Sequence, residues 1–178
     1  MCLQEEIYLD GKDEVLVVMG SDSDFDIMQS AFKTLSQFNV RYKAVVCSAH
    51  RTPDMASELS KNAYDEGIKV IIAAAGLAAH LPGVLAAFTT LPVIGVPISA
   101  GALKGVDSLY AIVQMPKGIP VATVAIDGAE NASLLAIQIL ALQNKELHNK
   151  LIDYKKEMAN AVEKSNDSLQ AKLKELGL

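Results

Sequence analysis

Ser48-Ala49-His50-Arg51-Thr52-Pro53 sets a hydroxyl, an imidazole and a guanidinium side by side, directly after the apolar run at residues 44–47. His50 can exchange protons near neutral pH. Arg51 can grip a phosphate or carboxylate through two parallel hydrogen bonds. Pro53 suits the first turn of a helix, where its missing N–H costs little. Two further clusters carry similar chemistry. Gly20-Ser21-Asp22-Ser23-Asp24 places hydroxyls and backbone N–H groups before a helical pattern, which is an arrangement that can hold an anion. Ala75-Gly76-Leu77-Ala78-Ala79-His80-Leu81-Pro82-Gly83 combines small residues, where backbone can approach a ligand closely, with a second imidazole. Each cluster also has a structural reading. Ser21, Asp22, Ser23 or Asp24 can simply cap the next helix, and a loop histidine can satisfy local backbone groups. Cys47 beside His50 raises the possibility of a nucleophilic pair, although a cysteine ending an apolar run usually packs as a small hydrophobe.

The elements that must position these residues follow from hydrophobic pattern. Short runs rich in Val, Ile or Ala at 15–19, 42–47, 70–74, 93–96 and 121–124 read as strands buried on both faces. Helical periodicity lies between them at 24–37, 53–66, 79–88, 106–115 and 129–144. Asp54 and Gly67 supply start and stop chemistry for the second helix. Five strand–helix units in succession predict a three-layer α/β/α fold, with a flavodoxin-like parallel five-stranded sheet in the order 2-1-3-4-5. Ligands in such folds bind outside the carboxyl ends of the strands. The three clusters follow the first, second and third strands, so two of the three histidines fall on one rim.

The division expected is a tail at 1–13, a catalytic α/β domain at 14–144 and a C-terminal helical extension at 145–178. Leu147, Leu151, Tyr154, Met158 and Val162 mark one helical face of that extension, and the stripe resumes at Leu169 after a break at Ser165-Asn166-Asp167. The face packs either on its own domain or on a neighbouring subunit. His148 reads as a solvated helix residue.

Composition narrows the function. The chain has 178 residues, 51% hydrophobic and 21% charged, with a net charge of −5. That supports a packed core and argues against a general nucleic-acid binder, which needs a basic surface. Cys2 and Cys47 have no metal-ligand spacing, and Asp22, Asp24 and Asp26 lack the glycine and glutamate of a calcium loop. Neither set of residues therefore matches a recognised metal-ligand spacing. The acidic N-terminus has no apolar stretch of signal-peptide length, and no run is long enough for a membrane span. A reducing cytoplasm is the simplest setting.

Taken together, the three clusters resemble the signatures of the 5-(carboxyamino)imidazole ribonucleotide mutase family of bacterial purine synthesis. Gly105-Val106-Asp107-Ser108-Leu109-Tyr110, the stretch from Val113 to Val121 and Lys145-Glu146-Leu147-His148 are similar to that family as well. The resemblance covers about 15–154. Phe25 stands where the family often has Trp, and Leu77 where a Gly or another residue occurs. The resemblance implies conversion of 5-(carboxyamino)imidazole ribonucleotide to 4-carboxy-5-aminoimidazole ribonucleotide through trapped carbon dioxide, without a cofactor, in a homo-octamer with sites at subunit contacts. His50 matches the general acid–base histidine; His80, the second expected catalytic residue, and the loop around Gly76 match residues that close over the imidazole and carboxylate. Ser21, Ser23, Asp24, Ser48, Ala49, Arg51, Ala75, Gly76 and Leu81 are the expected substrate-binding positions, with Ala78 and Ala79 helping to exclude water. Two alternatives remain. One is a carboxylase using free carbon dioxide and 5-aminoimidazole ribonucleotide, a branch that tends to have Lys-Gly where this chain has Arg51-Thr52. The other is a non-catalytic nucleotide-binding module.

Overall fold

The computed structural model describes residues 13–178; the expected tail at 1–13 lies almost wholly outside them. The strands are β1 (Val15–Met19), β2 (Tyr42–Val46), β3 (Val70–Gly76), β4 (Val93–Ile98) and β5 (Ala122–Thr123). The helices are α1 (Phe25–Gln37), α2 (Pro53–Glu66), α3 (Leu81–Phe88), α4 (Val106–Val113), α5 (Ala129–Ala141) and α6 (Lys145–Glu175). All strand pairings are parallel, in the order β2-β1-β3-β4-β5. This is the expected flavodoxin-like arrangement. Val17 lies beside Ala44 on one side and Ile72 on the other, which fixes the register of the three strands that lead into the site.

The three central strands are apolar along their length, dominated by Val, Ile and Ala, and almost every residue is buried because helices cover both faces. Leu16, Val18, Ile71, Ala73, Leu85 and Ile112 form one continuous part of that core. The edges depart from the expectation of five fully buried strands. In β2, Ala44 and Val46 are exposed, so its apolar sequence is only partly covered within one protomer. The fifth strand shrinks to two residues, since Val121 and Val124 fall outside the ladder. At α5, Ser133 Oγ donates to Ala31 O at 3.1 Å and ties the helix to α1.

The chain divides into two compact units between Ile137 and Gln138. In the second unit α5 ends earlier than its periodicity predicts, because Asn144 serves as the cap of the next helix. Its side chain accepts from Glu146 N and Leu147 N. The expected break at 165–167 does not occur, and α6 runs unbroken for 31 residues. Neither Gly nor Pro interrupts it, and Ser165 Oγ bonds back to Ala161 O at 2.9 Å, so its hydroxyl does not compete with the helix. Met158, Val162 and Leu169 stand exposed along it.

Close packing of α4 on β4 depends on Gly95. A Cβ there would collide with Ile112 Cγ2 and come within 3.0 Å of Val121 Cγ1. Gly95→Ala is expected to destabilise the protein by about 1–3 kcal/mol through overpacking, read as a lower denaturant midpoint at constant slope. An unchanged midpoint would mean that this layer has slack the structure does not show.

Candidate active site

At the end of β1 the chain turns sharply, with Gly20 N bonded to Ala74 O of the neighbouring strand at 2.9 Å. Ser21 then caps a short 3-10 turn at Asp22–Asp24 that leads into α1. Its hydroxyl accepts from Ser23 N at 3.3 Å, and Asp24 Oδ2 accepts from Ser21 N at 3.1 Å, closing a capping box. The cap role is therefore filled. Ser23 Oγ lies 2.9 Å from Ser21 Oγ, so both hydroxyls are held together at the same rim.

Asp24 is buried. Burial pushes its carboxyl above the ordinary value; N–H groups of Ser21 and Gly20 oppose this, the charge of Asp22 adds to the rise, and the Ser23 hydroxyl opposes it.

After β2, Cys47 N bonds to Met19 O and the SAHRTP turn folds over the β1 loop. Thr52 Oγ1 accepts from Ser48 N at 3.0 Å and donates to Ser48 O at 2.9 Å, while Ser48 Oγ accepts from Arg51 N at 3.3 Å. Pro53 then opens α2. Arg51 Nη2 donates to Gly20 O at 3.4 Å, joining the first and second clusters. Cys47 is buried and does not line the cavity described below, which is the packing role rather than the nucleophilic one.

After β3, Leu77 adopts a left-handed backbone with φ 55°, and two tight turns follow, Ala79 N to Leu77 O and His80 N to Ala78 O, each 2.8 Å. These turns bring His80 to the start of α3. There its Nδ1 lies 2.8 Å from His50 Nε2, with ring centroids 4.9 Å apart and planes at 75°. One ring must donate and the other accept, so the contact requires complementary tautomers of the two imidazoles. Both rings remain exposed to the cavity side.

The three loops enclose a cavity of about 510 Å³, within the range usual for small-molecule sites. The first supplies Gly20, Ser21, Ser23 and Asp24; the second Ser48, Ala49, His50 and Arg51; the third Ala75, Gly76, Leu77, Ala78, His80 and Leu81. Every site residue expected from sequence lies on this one surface. Ala79, expected to help exclude water, instead faces the core. Ala100 completes the lining and was not anticipated. Its only signal was position, because the rim rule that selected the first three loops applies equally to the loop after β4. His148 sits exposed on α6 in the second unit. Among the described residues, no three His, Cys, Asp or Glu side chains gather as a metal site. No described helix is long and apolar enough to cross a membrane.

The model of the family described as AIR carboxylase matches residues 14–161. The N5-carboxyaminoimidazole ribonucleotide mutase of Pyrococcus horikoshii is 54% identical over 154 residues, covering 86% of this chain and 87% of that protein. The Escherichia coli K12 protein of the same name is 53% identical, covering 86% and 92%. The crystal structure of Treponema denticola PurE superposes with a TM-score of 0.80 at 28% identity, over 89% of this chain and 99% of that one.

The burial of Asp24 has a measurable consequence. The folded protein holds this carboxyl's proton more tightly than the unfolded chain does. Asp24 thus favours folding at low pH, and the benefit fades as pH rises from 3.8 through the raised folded value. At neutral pH the buried charge opposes folding. Asn keeps an acceptor for Ser21 N without the charge. Asp24→Asn is therefore expected to melt above the parent at pH 7, with the gap narrowing as pH falls below the folded value. A variant less stable at pH 7 would show that the hydrogen bonds to the carboxylate outweigh its desolvation.

Proposed function

The chain belongs to the AIR carboxylase family, and from that premise we infer that it is an isomerase of purine biosynthesis, converting 5-(carboxyamino)imidazole ribonucleotide to 4-carboxy-5-aminoimidazole ribonucleotide. The observation that carries the mechanism is the His50–His80 contact beside the serine turn. His50 gives a proton to the exocyclic nitrogen as the bond from nitrogen to the carboxyl carbon breaks, the electron pair staying on nitrogen. Carbon dioxide is released into the cavity. Ring carbon 4 then supplies the electrons for a new carbon–carbon bond, and the proton on that carbon returns to His50. One proton is lent and one is recovered, so the sum is an isomerisation. His80, at 2.8 Å, fixes the orientation and tautomer of His50.

The remaining lining residues suit the rest of the substrate. Ser21, Ser23, Ser48 and Arg51 offer hydroxyl and guanidinium donors to the ribose phosphate. Asp24 cannot hold an anion and suits a ribose hydroxyl. Ala49, Ala75, Gly76 and Leu81 let the imidazole and its carboxyl lie close to the backbone, with Ala78 and Ala100 adding apolar wall.

Retention of carbon dioxide needs a site closed to water. In one protomer the two imidazoles and the apolar residues Phe25, Val46 and Met55 are exposed. Their exposure supports a homo-octamer in which neighbouring subunits complete the site. The segment at 145–178 would be a docking extension of a catalytic domain at 14–144, its exposed Met158, Val162 and Leu169 supporting that role. The cytoplasm is the corresponding location.

Two measurements follow. With the carbamate carbon of the substrate labelled and unlabelled bicarbonate in the medium, the product should keep the label. His50→Asn should lower turnover at least about a hundredfold, the lower range for general acid–base catalysis. Loss of label together with efficient use of free aminoimidazole ribonucleotide and bicarbonate would place the chain with the carboxylases, and ligand binding without turnover would make it a binding module. Light scattering should return the mass of eight subunits, and a fully active monomer would overturn the shared-site assembly.

A further inference from the structure

Leu77 is the one residue of the cavity whose backbone and side chain are both unfavourable where they stand. It has φ 55°, a region in which non-glycine residues persist only when their surroundings hold them there. Its side chain is 53% exposed, although glycine immediately precedes it and alanines follow. A glycine here would remove both costs. The side chain reaches from the loop after β3 to the loop after β4. A Cβ built on Gly101 would stand 2.9 Å from Leu77 Cδ2, and Gly101 itself has φ 61°. One residue earlier the end of β3 is already close to the loop after β4, with a Cβ built on Gly76 3.3 Å from Ala100 Cβ. Among the described residues, Leu77 and Leu81 are the long apolar side chains lining the cavity, and Leu81 is buried. Among the described residues of one protomer, Leu77 is therefore the long apolar lining side chain placed to cover the opening, whatever a neighbouring subunit adds.

Resting on the mutase reading, we propose that Leu77 is a retention residue: interlocked with Gly101, it roofs the cavity beside His80 and slows the escape of carbon dioxide between its release and recapture. Carbon dioxide is small, uncharged and weakly hydrogen-bonding. An apolar cover that excludes water holds it better than a polar group would. The bulk at 77 also explains why position 101 lacks a side chain. The two loops share one space, and Leu77 fills it.

The test uses the labelled carbamate substrate in unlabelled bicarbonate. Leu77→Ala keeps the restricted backbone and removes the cover. Leu77→Gly removes the cover and relieves the backbone, so it is expected to fold at least as well as the parent. Both should raise the fraction of label lost to the medium about tenfold or more, the lower range for altered apolar contacts in a substrate pocket. Leu77→Met restores apolar bulk and should retain label as the parent does. Parental retention in the Ala and Gly variants overturns the proposal, as does a Met variant that leaks as much as Ala. The interlock has a separate readout in melting temperature. Gly101→Ala should cost clearly more in the parent than in the Leu77→Gly background, and equal costs would contradict the interlock. If the parent itself fails to turn the substrate over, the mutase reading falls. Parental turnover with label retention leaves that reading standing whatever the variants at 77 do.

Discussion

His50 and His80 meet at 2.8 Å because β2 and β3 flank the same strand, β1. Neighbouring strands are spaced by about 4.8 Å, so the loops after β2 and β3 must lean towards each other over the end of β1 for two imidazoles to touch. The sheet order creates the gap, and local chemistry closes it. On one side Thr52 and Ser48 lock the SAHRTP turn, while Arg51 ties it to Gly20 O. On the other, the left-handed residue at 77 and two tight turns carry His80 to the start of α3. A different strand order would separate the rings and scatter the lining residues over two rims.

The site is also where local stability is given up. A carboxyl is buried against its desolvation cost at Asp24, a leucine occupies a glycine-like conformation at 77, and two imidazoles face an open cavity. The fully buried central strands and the packing around Gly95 offset these costs. A fold relaxed at every one of these positions would be more stable and would lack the buried carboxyl, the left-handed leucine and the open imidazole pair.

The sheet, its order and its three polar loops were legible in the sequence because they depend on pattern: runs of Val and Ile, helical periodicity, and polar residues placed after strands. Other features depend on covering and contact, which pattern does not carry. Ala44 and Val46 read as buried residues, yet the described residues leave both exposed. Ala100 carries no polar group and lines the cavity only because the loop after β4 packs against Gly76. Ser165-Asn166-Asp167 has the composition of a break, but continuous helix on both sides and a bond back to Ala161 absorb it. In sequence, Leu77 is visible as a bulky residue in a loop of glycine and alanines. Its left-handed backbone and its reach to Gly101 are visible only in three dimensions.

The most direct test of the account is a crystal structure of the protein with the product, 4-carboxy-5-aminoimidazole ribonucleotide. The expected result places the ring and its carboxylate against His50 and His80, the ribose near Asp24, and the phosphate among Ser21, Ser23 and Arg51. A nucleotide bound away from this rim, or reversed so that its phosphate sits against the two imidazoles, would contradict the assignment of proton transfer to the His50–His80 pair.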